Sequence, residues 1–354
     1  MRLSLKTLVA FASLLAPVAV SAQDETDVQA KPAGESELWI EFKGGKGPGA
    51  DRHIVFVTGD EEYRSEEGMP QLAKILAKHH GFRCTVTFAI DKKTGTINPN
   101  VSDNIPGLEA LDKADLMVIL TRFRDLPDDQ MKHIVDYVES GRPIVGLRTS
   151  THAFQFRKHK TYKKYQNSKE WPGGFGRQVL GEKWIAHHGG HKTESCRGIV
   201  VEGMKDHPIL AGIKPKGIWD PADVYRVRLP MLKGIQPLVL GQNLRGMKPD
   251  DEPLKGKVDG EPHPKNNPMM PVAWIKTFSP SKGKKARVFA STMGSAPAFT
   301  QEGSRRLVVN ACYWAIGLED KIKADSNVSI VGKYKPSMFG FNAFKKGVKP
   351  ADLR

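Results

Sequence analysis

The sequence predicts an α/β fold built on a single, doubly wound, mostly parallel sheet flanked by helices. One observation is the continuous apolar run at residues 53–57, typical of a strand buried on both faces of a parallel sheet. A second is the alternation of strand-like runs with helical repeats that continues to Leu147. The third is the length of 354 residues with 39% hydrophobic residues, enough for one large domain or two modest ones.

The N-terminal residues 1–22 have the features of a secretory signal peptide. Arg2 and Lys6 give a charged start, an apolar run covers residues 8–20, and small side chains precede a cleavage position after Ala22. The run is shorter than the roughly 20 apolar residues that a membrane-spanning helix needs. We therefore expect a protein exported to the periplasm or the extracellular space, without a membrane span.

Residues 23–50 are expected to form a flexible leader that contains one short strand. The leader begins with polar residues, and Leu38, Ile40 and Phe42 then alternate with polar neighbours as in a strand. The glycine-rich stretch at 44–49 lacks the spacing of a phosphate-binding loop and precedes a strand, so we interpret it as a surface turn.

The predicted α/β domain covers residues 51–320, and its first half is the more regular. Helical repeats begin near Leu72 and Met131, and Pro70 is expected in the first turn of the earlier helix, where its missing N–H costs nothing. Gly81 and Gly141 stand where these helices should end. The strands predicted in this half are residues 53–57, 82–88, 116–120 and 143–147.

The second half of the domain has fewer regular patterns. Residues 155–195 are rich in Lys, Gly, His and Trp and are predicted to be a long insertion with little regular structure. A closing helix is predicted over 305–316, and residues 321–354 are expected to form a basic C-terminal tail. The strand candidates here are residues 199–201, 224–227, 237–240, 272–275 and 288–290.

Charge and cysteine content narrow the functional classes. Lys+Arg is 54 and Asp+Glu is 39, so 54 − 39 gives a net charge of +15 that would suit nucleic acid. Export argues against that partner, and we expect none. The basic segments 157–165 and 333–349 are interpreted as solvated faces, with attraction to an acidic glycan as the alternative. Three cysteines exclude a disulfide-rich scaffold; Cys84 and Cys312 are expected to be buried, and only Cys196 is expected in a loop.

Polar side chains follow two of the predicted parallel strands, at the carboxyl edge where open α/β sheets bind ligands. The loop after the first strand offers carboxylates and a phenol, and the turn after the fourth offers a guanidinium, hydroxyls and an imidazole. Such groups bind polyhydroxylated or anionic ligands. Helix capping explains Thr149 and Ser150 equally well. The substrate-binding residues that we predict are Glu62, Tyr63, Arg148, Thr149, Ser150 and Tyr225.

Residues 187–191 read His-His-Gly-Gly-His and form the densest imidazole cluster. Histidine suits zinc, and glycines let a loop fold around an ion, but the recognised zinc spacings are absent. The sequence therefore requires no cofactor. If a divalent metal binds, the candidate ligands are His187, His188 and His191. The favoured interpretation is that one of these histidines acts as an acid or a base.

Catalytic roles are assigned to three residues. Either His152 or His191 would carry the proton, and Asp223 would orient the imidazole. Arg148 would then hold an anionic or carbonyl oxygen. The sequence has no Gly-x-Ser-x-Gly motif, which leaves a serine hydrolase of the α/β type without support.

The motifs that carry a family resemblance lie between residues 53 and 317. They are G-D-E-E-Y-R-S-E-E, G-R-P-I-V-G-L-R-T-S-T-H-A-F, G-G-H, H-P-I-L-A-G-I, D-V-Y, P-V-A-W, A-R-V-F-A-S-T-M-G and N-A-C-Y-W-A-I-G. In this order they resemble the ThuA-like (trehalose-utilisation) family of the class I glutamine amidotransferase-like superfamily. The resemblance implies one flavodoxin-like domain with insertions and a carbohydrate ligand, an oxidised sugar being one candidate.

The turn after the fourth strand departs from the amidotransferases. Arg148 stands where they carry a nucleophilic cysteine, and a guanidinium cannot replace a thiolate nucleophile. We therefore expect no glutamine amidotransferase activity. ThuA-like proteins often have a histidine at this turn, whose nearest counterpart here is His152, and a later Gly-His pair that here reads Gly294-Ser295.

These observations favour an exported ThuA-like protein that binds or processes a small carbohydrate or a glycan, using acid–base chemistry if it is an enzyme. One alternative is a non-catalytic glycan-binding or assembly module, suggested by the missing nucleophile and the basic segments. Another is a metal-dependent hydrolase. The oligomeric state is left open.

Overall fold

A computed structural model describes residues 37–258 and 260–354, and the centre of this part is one mixed β-sheet. The predicted signal peptide and most of the polar leader lie outside the described residues. The strands are β1 (Trp39–Phe42), β2 (His53–Gly59), β3 (Arg83–Thr87), β4 (Leu116–Thr121), β5 (Ile144–Leu147), β6 (Cys196–Val200), β7 (Trp219–Asp220), β8 (Gln236–Asn243), β9 (Met270–Phe278) and β10 (Ala286–Ser291). Their order across the sheet is β1-β3-β2-β4-β5-β10-β9-β8-β6-β7.

The sheet is less parallel than the sequence predicts. Strands β3, β2, β4, β5 and β10 pair in parallel, whereas β1 and the four strands beyond β10 pair antiparallel. Five of the nine pairings are therefore antiparallel, and the doubly wound, mostly parallel arrangement is not confirmed. A parallel neighbour needs a long crossover, usually a helix. The described residues between β6 and β10 contain no α-helix that could supply one.

Three α-helices occur in the described part: α1 (Ser65–His80), α2 (Asp128–Glu139) and α3 (Glu302–Ala315). Helix α1 starts earlier than predicted, so Pro70 lies inside it and not in its first turn. Gly81 ends α1 as expected, with a left-handed φ of 82°. None of the helices described has the length and apolarity that a membrane crossing requires.

Two predictions for the second half are wrong. Residues 224–227 form no strand: Val224 and Tyr225 are buried, but their backbone makes only an isolated bridge to His187. Cys196, expected in a loop, begins β6 and is buried, as are the free thiols Cys84 and Cys312. The apolar pattern at residues 224–227 thus correctly indicated buried side chains. Burial does not require that the backbone pairs with a neighbouring strand.

The parallel half of the sheet positions the site. β2, β4 and β5 are buried along their whole length, and β4 pairs with both of its neighbours. Their carboxyl ends therefore meet at one edge, where the loop after β2 and the turn after β5 come together. The insertion at 155–195 supplies only short helical turns, Lys163–Tyr165 and Gly176–Leu180, as predicted. The predicted domain boundaries stay predictions.

Candidate functional site

The loop after β2 is organised by Asp60, a residue that the sequence analysis missed. Its Oδ1 accepts the backbone N–H of Glu62 at 2.7 Å and also that of Tyr63. Its Oδ2 accepts the hydroxyl of Thr149. An aspartate directly after a buried strand is a common turn residue, so the signal was present in the sequence. Asp60 is buried and ties the loop after β2 to the turn after β5.

The turn after β5 forms a short 3-10 helix, Arg148–His152, that begins with a left-handed φ of 39° at Arg148. A non-glycine residue in this conformation is uncommon and must be held by its surroundings. Thr149 and Ser150 are buried and point inwards: the Ser150 hydroxyl donates to the Ile119 carbonyl at 2.8 Å. Neither side chain caps the 3-10 helix, because Thr149 donates to Asp60 and Ser150 donates to Ile119, so the geometry supports a packing role. Ligand contact by either residue stays a prediction.

Arg148 lies at the centre of the site and is almost completely buried. Its Nη1 donates to the carbonyls of Asp223 at 2.6 Å and Thr292 at 2.7 Å. Its Nη2 donates to the Tyr63 hydroxyl at 3.0 Å and to Asp223 Oδ1 at 3.1 Å. Both Nη atoms are thus occupied by protein acceptors, so Arg148 positions Asp223. The predicted contact between Arg148 and a ligand oxygen stays a prediction.

Two tyrosine rings enclose this guanidinium. The Arg148 Cζ atom lies 4.4 Å from the ring centre of Tyr63 and 3.8 Å from that of Tyr225, within cation–π range. Burial raises the pKa of Tyr63 to about 12, and burial also raises the pKa of Tyr225. Both phenols therefore stay neutral around neutral pH and support the cation through their ring faces.

Asp223 joins two histidines on the open side of the site. Its Oδ2 lies 2.8 Å from His187 Nδ1, and its Oδ1 lies 3.2 Å from His191 Nδ1. Burial alone would raise the pKa of Asp223, but the hydrogen bonds from the two histidines and the charge of Arg148 hold it below the usual range. Asp223 is therefore an ionised carboxylate that orients both imidazoles.

Glu62 approaches the same histidine from the other side. Its Oε1 lies 3.0 Å from His191 Nε2, and its side chain is only 5% exposed, against 28% for His191. Burial raises the pKa of Glu62 and the nearby Asp60 adds to the rise, whereas His191 opposes it. His191 is thus held between two buried carboxylates while one edge of its ring faces solvent.

The structure brings together only part of the predicted histidine set. His188 turns away from the cluster, and its Nε2 lies 2.9 Å from the Lys265 carbonyl oxygen. His152 also lies apart: its ring centre is 6.3 Å from that of Tyr225, and burial holds its pKa well below the usual value. Of the two predicted proton carriers, His191 is the one that contacts Asp223 and Glu62, and a catalytic role for either stays a prediction. His187, predicted only as a metal ligand, shares Asp223 with it.

A cavity of about 500 Å³ lies on the side of Trp184, whose ring contacts His187, although Glu62, His191 and Asp223 are not part of its lining. The insertion supplies much of its wall, and Trp184 borders both regions, with ring-centre distances of 5.5 Å to His152 and 5.8 Å to His187. Aromatic faces and amides surround the space, a lining suited to the apolar faces and hydroxyls of a sugar. Residues of the wall include Phe123, His152, Gln155, Asn167, Trp184 and Arg228.

The C-terminal tail closes another side of the site, which no local signal in the sequence indicated. Phe339 is buried and stacks on Tyr63 with ring centres 5.1 Å apart, and its ring lies 5.9 Å from that of His191. The backbone N–H of Gly340 donates to the Glu62 carbonyl at 2.8 Å. The tail therefore belongs to the site, although the sequence suggested a solvated face.

The basic segment at 157–165 is not a uniformly solvated face, because some of its side chains are buried or paired with acidic residues. Tyr165 is buried, Lys158 pairs with Asp103 at 3.0 Å, and Lys164 lies 3.5 Å from Glu139. The aromatic rings and the cations consequently do not alternate on one exposed face.

Gly294 and Ser295, at the position of the resembling family's Gly-His pair, are used structurally. Their backbone N–H groups both donate to Asp220 Oδ2, at 2.7 and 3.1 Å, and the Ser295 hydroxyl donates to Oδ1. These bonds connect the segment after β10 to β7, which lies just before Asp223.

Residues 53–315 match the ThuA family, which is described as trehalose utilisation. Among solved structures, the chain is similar to a thua-like protein from Bacteroides uniformis, with 16% identity and a TM-score of 0.42, covering 80% of this chain and 95% of that one. A thua-like protein from Parabacteroides merdae has 13% identity and a TM-score of 0.43, covering 82% and 96%. No curated protein gives a significant match.

Proposed function

This chain belongs to the ThuA family, and we propose that it binds a carbohydrate beside the Glu62–His191–Asp223 cluster and performs acid–base chemistry on it. The observation that carries the proposal is the placement of His191, whose two ring nitrogens face two buried carboxylates while its edge remains open to solvent. General acid–base catalysis needs a titratable group that is both oriented and accessible.

Each member of the cluster has a distinct part in the proposed chemistry. Asp223 orients His191 through Nδ1, and Arg148 in turn positions Asp223. The opposite nitrogen, Nε2, lies 3.0 Å from Glu62 Oε1, so a small rotation of either side chain would let a proton pass between the imidazole and this carboxylate. His191 and Glu62 are therefore the proposed proton-transfer pair, and Arg148 acts as a positioning residue.

The cavity next to the cluster supports a sugar as the ligand. Trp184 and Phe123 offer ring faces, and Gln155, Asn167 and Arg228 offer hydrogen-bonding groups around a volume of about 500 Å³. A pocket with an apolar lining and a few polar groups selects a ligand by the position of its hydroxyls. An oxidised sugar would add a carbonyl or carboxylate oxygen for Arg228 or Lys183 to bind.

Titration calorimetry with trehalose and gluconate, together with NMR of the sugar after incubation, would test this function. We expect His191→Ala to lower sugar affinity or turnover at least about tenfold with an unchanged melting temperature. The matched control is His133→Ala, which also removes a histidine paired with a carboxylate, Asp112, at 2.8 Å but lies elsewhere. Equal losses in both variants, or no binding by the wild type, would contradict the proposal.

The salt dependence of binding separates this function from the glycan-binding alternative. Binding of a neutral sugar in the cavity should change little with ionic strength, whereas attraction of a polyanion to exposed lysines should weaken as salt rises. Binding confined to sulfated or carboxylated glycans and lost in salt would favour the non-catalytic module.

Export of the chain belongs to the same proposal, and fractionation of the producing cells would test it.

A further inference from the structure

We propose that His187, His191 and Asp223 form a binding site for one divalent transition-metal ion. This inference rests on the proposed function only for the role of the ion in the reaction. Metal binding itself can be measured without any sugar. The three residues come from two loops that are held against each other by backbone hydrogen bonds, in which the N–H groups of His188 and Gly189 donate to the Val224 carbonyl at 2.8 and 3.0 Å.

The spacing of the possible ligand atoms suits a metal centre. One ligand atom from each residue can be chosen so that all lie within 4.8 Å of one another, and the closest nitrogen–oxygen separations are 2.8 and 3.2 Å. With metal–ligand bonds of about 2.0 to 2.2 Å, adjacent ligand atoms lie about 2.8 to 3.6 Å apart. An ion could therefore take the place of the two direct contacts with only small movements of the side chains.

The donor set indicates the class of ion. Two imidazoles and one carboxylate suit zinc and its neighbours in the first transition row, whereas magnesium and calcium prefer oxygen donors. His187 is 37% exposed and His191 is 28% exposed, so an ion and further ligands can enter from the solvent side. Asp223 is buried and would hold the ion from within.

Glycine at position 189 allows the histidine loop to approach the carboxylate. A Cβ atom there would lie 2.9 Å from the Cβ of Asp223 and 2.8 Å from Asn243 Oδ1, closer than a side chain tolerates. The two histidines can thus flank Asp223 because the chain between them carries no side chain at its nearest point.

An independent observation is the state of Glu62. Among the described residues its Oε1 has no partner with hydrogen-bond geometry, although it is buried and lies 3.0 Å from His191 Nε2. A buried carboxylate oxygen without a donor is unfavourable. An ion bound to Nδ1 of His191 would leave the ring proton on Nε2, which faces this oxygen, as in the carboxylate–histidine–metal triads of other sites.

The groups that face the site are compatible with a divalent ion. Glu62 and Asp223 contribute two negative charges and Arg148 contributes one positive charge, so an added divalent ion leaves a net charge of about +1 in a partly open site. Arg148 contacts Oδ1 of Asp223 at 3.1 Å, which leaves Oδ2 for the ion. Outer groups that orient ligating carboxylates in this way are usual in metal sites.

The test measures metal binding by the full chain, produced without a histidine tag and stripped with a chelator. We expect calorimetry with Zn²⁺ to give about one ion per wild-type chain and elemental analysis to agree. The visible spectrum with Co²⁺ should show imidazole ligation. His187→Ala and Asp223→Asn should weaken Zn²⁺ binding by about 10- to 100-fold.

The matched control is His188→Ala, which removes the adjacent histidine that bonds to the Lys265 carbonyl and should leave affinity unchanged. A wild type that binds no Zn²⁺, or equal binding by His187→Ala and His188→Ala, would overturn the proposal. If His187→Ala fails to fold by circular dichroism, the wild-type Co²⁺ spectrum decides. If the wild type binds sugar but no Zn²⁺, only this inference is overturned. If it binds Zn²⁺ but no sugar, only the proposed function is overturned.

Discussion

Several charged side chains of this protein are buried, and their environments differ. Arg64, Arg124 and Arg148 are almost fully buried, and backbone carbonyls accept much of their hydrogen-bonding capacity. Glu66 differs from them, because neither of its buried oxygens has a hydrogen-bond partner among the described residues. Its nearest cation, Arg64, lies 3.5 Å away. Burial raises the pKa of Glu66 to about 8.

The pKa of Glu66 leads to a prediction about pH and stability. The folded state holds this proton up to a pH of about 8, whereas the unfolded state releases it near the ordinary value of 4.5. The wild type therefore loses stability as the pH rises through this window. Glu66→Gln should unfold like the wild type near pH 4 and be more stable at pH 9, by a few kcal/mol.

Urea unfolding at several pH values would measure this difference. Glu170→Gln is the control, since Glu170 is exposed and its substitution should change stability by no more than about 0.5 kcal/mol. A Glu66→Gln advantage that does not change with pH would show that burial does not perturb this carboxyl group.

At the scale of elements, the cavity depends on one close crossing. The helical turn Gly176–Leu180 of the insertion packs on the 3-10 helix Arg148–His152. A Cβ atom on Gly176 would lie 2.0 Å from the Thr151 carbonyl oxygen, a distance that the backbone cannot accommodate without moving. The close approach of these two elements therefore fixes the part of the cavity wall that the insertion supplies relative to the part that His152 supplies.

Gly176→Ala should separate the two elements. We expect a loss of stability of about 1 to 3 kcal/mol from overpacking and weaker sugar binding, measured by thermal unfolding and calorimetry. Gly45→Ala is the matched control, because a Cβ atom there meets nothing within 4 Å. Similar behaviour of the two variants would mean that the crossing tolerates a methyl group.

At the scale of the whole molecule, the tail returns to the first loop of the sheet. Phe339 packs with Tyr63 and Ala222 in a small apolar cluster separate from the main core. Lys345 pairs with Glu67 at 3.1 Å, and Asn100 donates to Asn342 at 2.8 Å. The loop after β2 and the C-terminal tail, which are far apart in the sequence, thus form one wall beside His191.

Phe339→Ala should destabilise the protein by about 3 kcal/mol, because a buried aromatic ring is removed without collapse of the site. The neighbouring Met338 is 51% exposed, so Met338→Ala should change stability by no more than about 0.5 kcal/mol. Chemical unfolding measures both variants. If Phe339→Ala costs no more than Met338→Ala, the tail does not contribute a wall to the site.

Local patterns predicted the strands of the first half of the domain and the closing helix of the second. The runs that became β2, β4 and β5 are continuous and apolar, and α3 follows the helical repeat near Leu307, because such patterns depend only on neighbouring residues. The carboxyl-edge rule placed Glu62 and Arg148 in the candidate site. It could not distinguish His187 from its neighbour His188, since that choice depends on which way the loop turns.

Motif order and local hydrophobic patterning were enough to identify the ThuA family, the α/β class and the loops that carry the polar groups. The antiparallel half of the sheet, the occupation of Arg148 by protein acceptors and the position of the tail became visible only in the folded structure. Each of these depends on contacts between distant residues, such as Phe339 with Tyr63 and His191 with Asp223. Hydrophobic periodicity carries no information about such pairs, because it records whether a residue is buried and not what it is buried against.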